Sequence, residues 1–232
     1  MSSINTKSLL LVLVFVTAYC AGIGGAQEFL TPARYLDQVS GQFGRIKDYQ
    51  AVITIDQNDG ELIMKGNLIY KSPNKLRIDF AEPREQVLAM DGHLLTIYIP
   101  KYSYILEQKL KRRSQATIAL MASTQELSYL KENYSVAYLV GPDPIPLDDS
   151  SSERVITIKF QSRSSVEGFR QLEISFTREG MIRRVKGWTI NKTLVLDLLN
   201  VRINQNIPDA RFDYESPVHA NVYKDFLFEG ME

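Results

Sequence analysis

From Tyr49 to Gln108 the chain is a string of short segments in which apolar side chains recur at every second residue, with Gly, Pro, Asn or Asp between them. A two-residue period lets an extended strand lay one face on a core. Links of a few residues are too short for a crossover, so successive strands must lie antiparallel. "YQAVITID", "ELIMKGNLIYK", "KLRIDF", "VLAM", "LLTIYI" and "YSYILEQKL" follow one another in this way, with "NDG" (58–60) and Asp91-Gly92 as turns. One hairpin departs from the half-buried pattern. If Asp91-Gly92 is its turn, Leu88, Met90, Leu95, Ile97 and Ile99 share one face, and Val87, Ala89, Leu94, Thr96 and Tyr98 share the other. Both faces are apolar, whereas a sheet wet on one side alternates. The second face needs a cover.

Helices are one source of cover. Thr31 suits an N-cap and Pro32 the first helical position, and Leu36, Val39, Phe43 and Ile46 then recur at spacings of three and four. After the meander, "SQATIALMA" (114–122) reads as a short apolar helix. "STQELSYLKEN" (123–133) reads as another, with Ser123 and Glu126 spaced as a capping box. "YSVAYLV" leads into "GPDPIPLDDSSSE", too rich in Pro, Asp and Ser to be regular. "RVITIKFQS", "FRQLEISFT", "MIRRVKGWTI" and "TLVLDLLNVRIN" follow, with "ARFDYESP" as a further short strand. The fold class is therefore mainly β (α+β): one antiparallel sheet of about ten or eleven strands, an N-terminal helix and a two-helix insertion. A sheet that long curls or closes, and helices over its mouth would cover the remaining apolar surface. Its interior is either packed solid or hollow enough for a ligand, and alternation alone favours the solid one.

The first 26 residues read as an export signal: Lys7, then "LLLVLVFVTAYCAG", then the small residues Gly24 and Ala26 ahead of a cut after Ala26. Lipidation of Cys20 is the competing reading, opposed by the bulky Tyr19. A cut after Ala26 leaves one domain, residues 27–232, without cysteine, so core burial alone must hold it together. Acidic and basic residues balance at 27 each, which argues against a general nucleic-acid binder. The clusters "KLKRR" (109–113) and "RRVK" (183–186) read as solvated strand ends able to touch lipid headgroups.

"GNLIYKSPNKLRIDFAEPREQVLAMDGHLLTIYIPKYSYILEQ" (66–108) resembles the signature region of LolA-like proteins, carriers of outer-membrane lipoproteins, with Gly66, Leu68, Lys71, Pro73, Asn74, Pro83, Asp91, Gly92, Tyr98 and Pro100 at the matching places. "LDQVSGQFGRIKDYQAVITI", "LEISFTREGMIRRVKGW" and the closing Asp209, Ala210, Phe212, Tyr214 and Pro217 extend the likeness over almost the whole chain. The resemblance implies an unclosed β-barrel with helices as a lid over a hydrophobic cavity for acyl chains, in a periplasmic monomer without cofactor or metal. It also implies an inner-membrane ABC transporter as donor and an outer-membrane acceptor. The cavity residues are then Leu68, Tyr70, Leu76, Ile78 and Phe80, which alternate with polar neighbours, and Leu88, Met90, Leu95 and Ile97. Ile118, Leu120 and Met121 are the lid residues, and each of these positions reads equally as ordinary packing. Where the family has an Arg before Pro-Asn this chain has Ser72, which cannot supply the five donors of a guanidinium. Arg77 or Arg84 takes over the latch, or the lid closes differently.

Two other classes compete. A phospholipase-like hydrolase would need a nucleophile elbow or a zinc motif, and neither is present. His93 and His219 are the two histidines available as a general base, and Asp148, Asp149 and Glu153 lack the fixed spacing of a calcium loop. A lipoprotein-sensing regulator on the same fold would carry an extra domain, and 15 residues follow Pro217. Their apolar middle, Phe226 to Phe228, reads as a docking strand or as a cap on the barrel edge.

Overall fold

The computed structural model describes residues 30–109, 124–164 and 168–225. The export signal with Cys20, the insertion carrying Ile118, Leu120 and Met121, and Phe226–Phe228 lie outside these residues. The chain divides into two units, Met1–Leu30 and Thr31–Glu232, and the second holds all the elements below.

Helix α1 spans Pro32–Phe43, with Thr31 Oγ1 accepting from the Arg34 N–H at 3.3 Å and Pro32 in the first turn. It buries Tyr35, Leu36, Val39 and Phe43. Helix α2, Thr124–Asn133, buries Leu127 and Leu130 and packs on α1, where Lys131 pairs with Asp37. The capping box of Ser123 and Glu126 falls on side chains outside the description.

Among the described residues, thirteen strands form one curved, unclosed sheet. They are β1 Asp48–Gln57, β2 Leu62–Lys71, β3 Lys75–Glu82, β4 Val87–Met90, β5 Leu94–Ile99, β6 Tyr104–Lys109, β7 Tyr134–Tyr138, β8 Ile145–Pro146, β9 Arg154–Ser162, β10 Gln171–Phe176, β11 Ile182–Trp188, β12 Thr193–Ile203 and β13 Asn221–Lys224. Their order is β13-β6-β5-β4-β3-β2-β1-β12-β11-β10-β9-β7, with β8 set beside β9. All pairs are antiparallel except β13 with β6.

The strand count exceeds the expected ten or eleven for two local reasons. The loop after β7 is not wholly irregular, since Ile145–Pro146 bridges to β9. Beyond Pro217, Asn221–Lys224 adds itself to the β6 edge. "ARFDYESP", by contrast, is not a strand. Asp209–Phe212 makes a 3-10 turn, and the carbonyls around it accept from side chains instead of a neighbouring strand. Arg77 donates to the Asp213 carbonyl at 2.7 Å and Lys71 to the Ile207 carbonyl at 2.8 Å.

The hairpin turn also sits one residue later than its Asp-Gly pair suggests. Met90 pairs with Leu95 and Leu88 with Ile97, and the Asp91 N–H donates to the Leu94 carbonyl, so Gly92-His93 is the turn. Glycine comes first because that corner has φ +105°, a conformation that side chains resist. Asp91 Oδ1 accepts from the His93 and Leu94 N–H groups at 2.7 and 2.8 Å. The register moves by two residues, an even step, so both faces keep their members.

The cover on the second face is a strap, residues 204–217, and not a helix. Buried Asp48 fixes its start: the carboxylate accepts from the N–H groups of Gln205 at 2.6 Å and Ile207 at 3.2 Å. Ile207 and Phe212 then pack on Ile69, on the outer side of β2. Further along, the Arg77 guanidinium lies 5.7 Å above the Tyr214 ring, which is 6.5 Å from Tyr98. Val87, Ala89 and Thr96 on the same face are buried.

Candidate functional site

The inner side of β2 to β6 is the candidate site, and the sheet register builds it. Leu68 pairs with Ile78 and Tyr70 with Leu76. Ile78 pairs with Leu88 and Leu76 with Met90. Leu88 pairs with Ile97 and Met90 with Leu95. Phe80 completes the set opposite Gly66, where a Cβ would come within 2.6 Å of the Asp79 carbonyl oxygen. Paired residues project to the same side, so all nine side chains read from the sequence stand on one face.

They are not equally enclosed. Leu68, Tyr70, Leu76, Ile78, Phe80, Met90 and Leu95 are buried, whereas Leu88 and Ile97 are half-buried. The face also extends further than the expected set. Tyr49, Ala51 and Ile53 of β1 pair with Tyr70, Leu68 and Gly66. The alternation in "YQAVITI" carried that signal. From Ile55 the face runs through Leu196, Val185, Ile174 and Ile158 to Tyr138. There α1 rests on it, with the Tyr35 ring 6.0 Å from Phe176 and 6.2 Å from Tyr138.

None of these paired positions carries Asp, Glu, Lys or Arg. The phenols of Tyr35 and Tyr49 are held neutral as well. Burial raises the Tyr35 hydroxyl to about 12, helped by Tyr138, and burial with Tyr70 alongside pushes Tyr49 up. Tyr70 donates to the Pro73 carbonyl at 3.2 Å. The polar exception is Gln108, opposite Leu95, whose amide donates to the Lys109 carbonyl at 3.1 Å. Such a surface can hold hydrocarbon, and among the described residues its paired positions carry no carboxylate, amine, guanidinium or imidazole.

The two candidate latch residues sit elsewhere. Arg77 is on the outer face, bridged to Asp79 at 2.9 Å and donating to the strap, so the latch it forms holds residues 211–214. Arg84 is exposed in the β3–β4 turn. His93 and His219 are exposed too.

In the acidic group, Arg184 takes Asp148 at 2.7 Å and Arg183 takes Glu153 at 2.7 Å, both arginines also reaching Asp197. The hydrogen bond from Arg184 holds the Asp148 carboxyl below its ordinary 3.8. A depressed carboxyl stabilises the fold above its unfolded pKa and loses that effect as pH falls through the folded value. An NMR titration should therefore place the Asp148 midpoint below 3.8, and Arg184→Gln should return it towards 3.8.

Comparison with known proteins accords with this architecture. The family model "Outer membrane lipoprotein carrier protein LolA" matches residues 49–215. The outer-membrane lipoprotein carrier protein of Bordetella avium is 23% identical over 159 residues, spanning 68% of this chain and 70% of that one. That of Hahella chejuensis is 23% identical over 204 residues, spanning 86% and 93%. A conserved uncharacterized protein from Thermus thermophilus shares the fold, with a TM-score of 0.53 at 10% identity over 83% of this chain and 98% of that one. With the match running from β1 into the strap, the chain belongs to the LolA family of outer-membrane lipoprotein carrier proteins.

Proposed function

We propose that this chain is a periplasmic carrier that shelters lipoprotein acyl chains on the inner face of β2 to β6 and moves them from the inner to the outer membrane. The observation that supports this most is the uncharged face on which Leu68, Tyr70, Leu76, Ile78, Phe80, Leu88, Met90, Leu95 and Ile97 meet. Residues 1–26 serve as a cleaved export signal, and Ile118, Leu120 and Met121 close over the bound chains as a lid. Withdrawing a chain of about 16 carbons from water is worth on the order of 12 kcal/mol, but the chain leaves a membrane in which it was already buried. The net change on transfer is near zero. A carrier of this kind needs a dry face and not high affinity. Extraction is driven by a partner that spends nucleotide energy, an inner-membrane ABC transporter, and delivery ends at an outer-membrane acceptor.

The reading is tested by mass spectrometry of organic extracts of the protein purified from its own periplasm. Near-stoichiometric diacyl or triacyl species are expected. Leu88→Trp and Ile97→Trp should reduce them without unfolding the protein, because those sites are only half enclosed. Protein that is repeatedly empty would refute the carrier. So would fatty-acid release from vesicles that disappears in His93→Ala, which would make the chain a hydrolase.

A further inference from the structure

Tyr102, Tyr104 and Tyr223 form a row of exposed rings where the described sheet ends, at β6 and β13. They are 56%, 37% and 47% exposed, with centroids 5.9 and 4.9 Å apart along the row. The register gives the row its meaning. Ile99 pairs with Tyr104 and Ile97 with Leu106, while β13 sets Tyr223 beside Leu106. Tyr104 and Tyr223 therefore continue the apolar inner face outward to where the sheet ends. Val222, on the opposite face of β13, is 48% exposed. Single exposed apolar residues are ordinary, but a contiguous patch at the margin of an apolar face marks a contact surface.

The chemistry of the patch selects its partner. A tyrosine ring has an apolar body and a polar tip, the combination that settles between hydrocarbon and headgroups. Cations lie at this edge: Lys101 Nζ is 5.3 Å from the Tyr102 ring, and Lys109 and Lys224 are exposed on the opposite face of the same two strands. Against these stand Glu107 and Asp225, so the edge is basic on balance. A partner strand adding to this edge would find four residues and a lysine, the devices by which natural edges discourage pairing.

We propose that the β6/β13 edge seats on an anionic phospholipid surface, with Tyr102, Tyr104 and Tyr223 in the headgroup layer and Lys101 against phosphate. Tyr223 lies beyond the residues matched by the family model. This contact does not depend on whether the inner face carries acyl chains.

Vesicle flotation tests it, using residues 27–232, which contain the whole second unit and omit an apolar leader that would itself enter lipid. The protein should float with phosphatidylethanolamine/phosphatidylglycerol vesicles in low salt, less so in high salt, and much less with phosphatidylcholine. Lys101→Glu, and separately Tyr102→Ser with Tyr223→Ser, should weaken flotation about tenfold. Both sites are exposed, and Lys101→Glu removes no buried contact, only the one with the exposed Tyr102 ring, so it stands even if the tyrosine variant misfolds. Failure of the unaltered protein to float, variants that float equally well, or equal flotation with phosphatidylcholine would overturn the proposal. Capture of a protein strand by this edge without vesicle binding would overturn it too. If lipid still co-purifies from the periplasm while flotation fails, the carrier reading survives and this one does not.

Discussion

Phe212→Ala should cost about 3–5 kcal/mol of stability, read as a fall in the urea midpoint at unchanged slope. The ring is 1% exposed, packed with Ile69 and Ile207 between the strap and β2. Truncation removes its transfer energy and leaves a cavity that the strap cannot collapse to fill. Asp48 holds one side of that cavity through the Gln205 and Ile207 N–H groups, and Arg77 holds the other through the Asp213 carbonyl. The ion pairs of Asp209 with Lys71 and Lys75 are solvent-facing and screened, so the ring carries more of the strap's hold than these charges do. A loss below about 1 kcal/mol would mean that the strap is not what shields the outer face.

That outer face is where reading from the sequence stopped short. The inner face was legible because "KLRIDF" alternates without exception: Leu76, Ile78 and Phe80 are buried while Lys75, Arg77 and Asp79 are not. The even spacing of a strand then carries the assignment across the register even where the turn is misplaced by one residue, as at Gly92-His93. In β4 both parities are buried, with Val87 and Ala89 under cover along with Met90, so alternation signals a second cover without identifying it. The cover comes from residues more than a hundred positions away, attached by side-chain-to-carbonyl bonds from Arg77 and Lys71 that leave no periodicity in the strap. Its Phe212 and Tyr214 have the spacing of a strand, and only the 3-10 turn at Asp209–Phe212, with no strand partner among the described residues, shows that they are not one. The β8 bridge is equally silent, because two residues are too few to show a period.

Ile78→Asp should be the most damaging single change on the inner face, costing at least about 4 kcal/mol at neutral pH. Ile78 is fully buried, with Leu68 on one side and Leu88 on the other. No lysine, arginine or histidine shares the paired positions around it. A carboxylate introduced there loses its water and gains no donor, so its pKa must rise well above the ordinary value of about 3.9. A group whose folded pKa is raised is least harmful below its unfolded pKa, and it destabilises progressively as pH climbs through the folded one. The variant should therefore recover stability on acidification, between its raised pKa and about pH 4, the opposite trend to that from the Asp148 pair. Ile78→Asn, polar but without charge, separates the two contributions: it should be destabilised to a similar extent at low pH and show no such slope. Denaturant melts of both variants across the acid range decide the matter. If Ile78→Asp is as stable as the unaltered protein at neutral pH, or gains stability as pH rises, water or a hydrogen-bond donor reaches the centre of this face. It could not then be the dry surface that hydrocarbon requires.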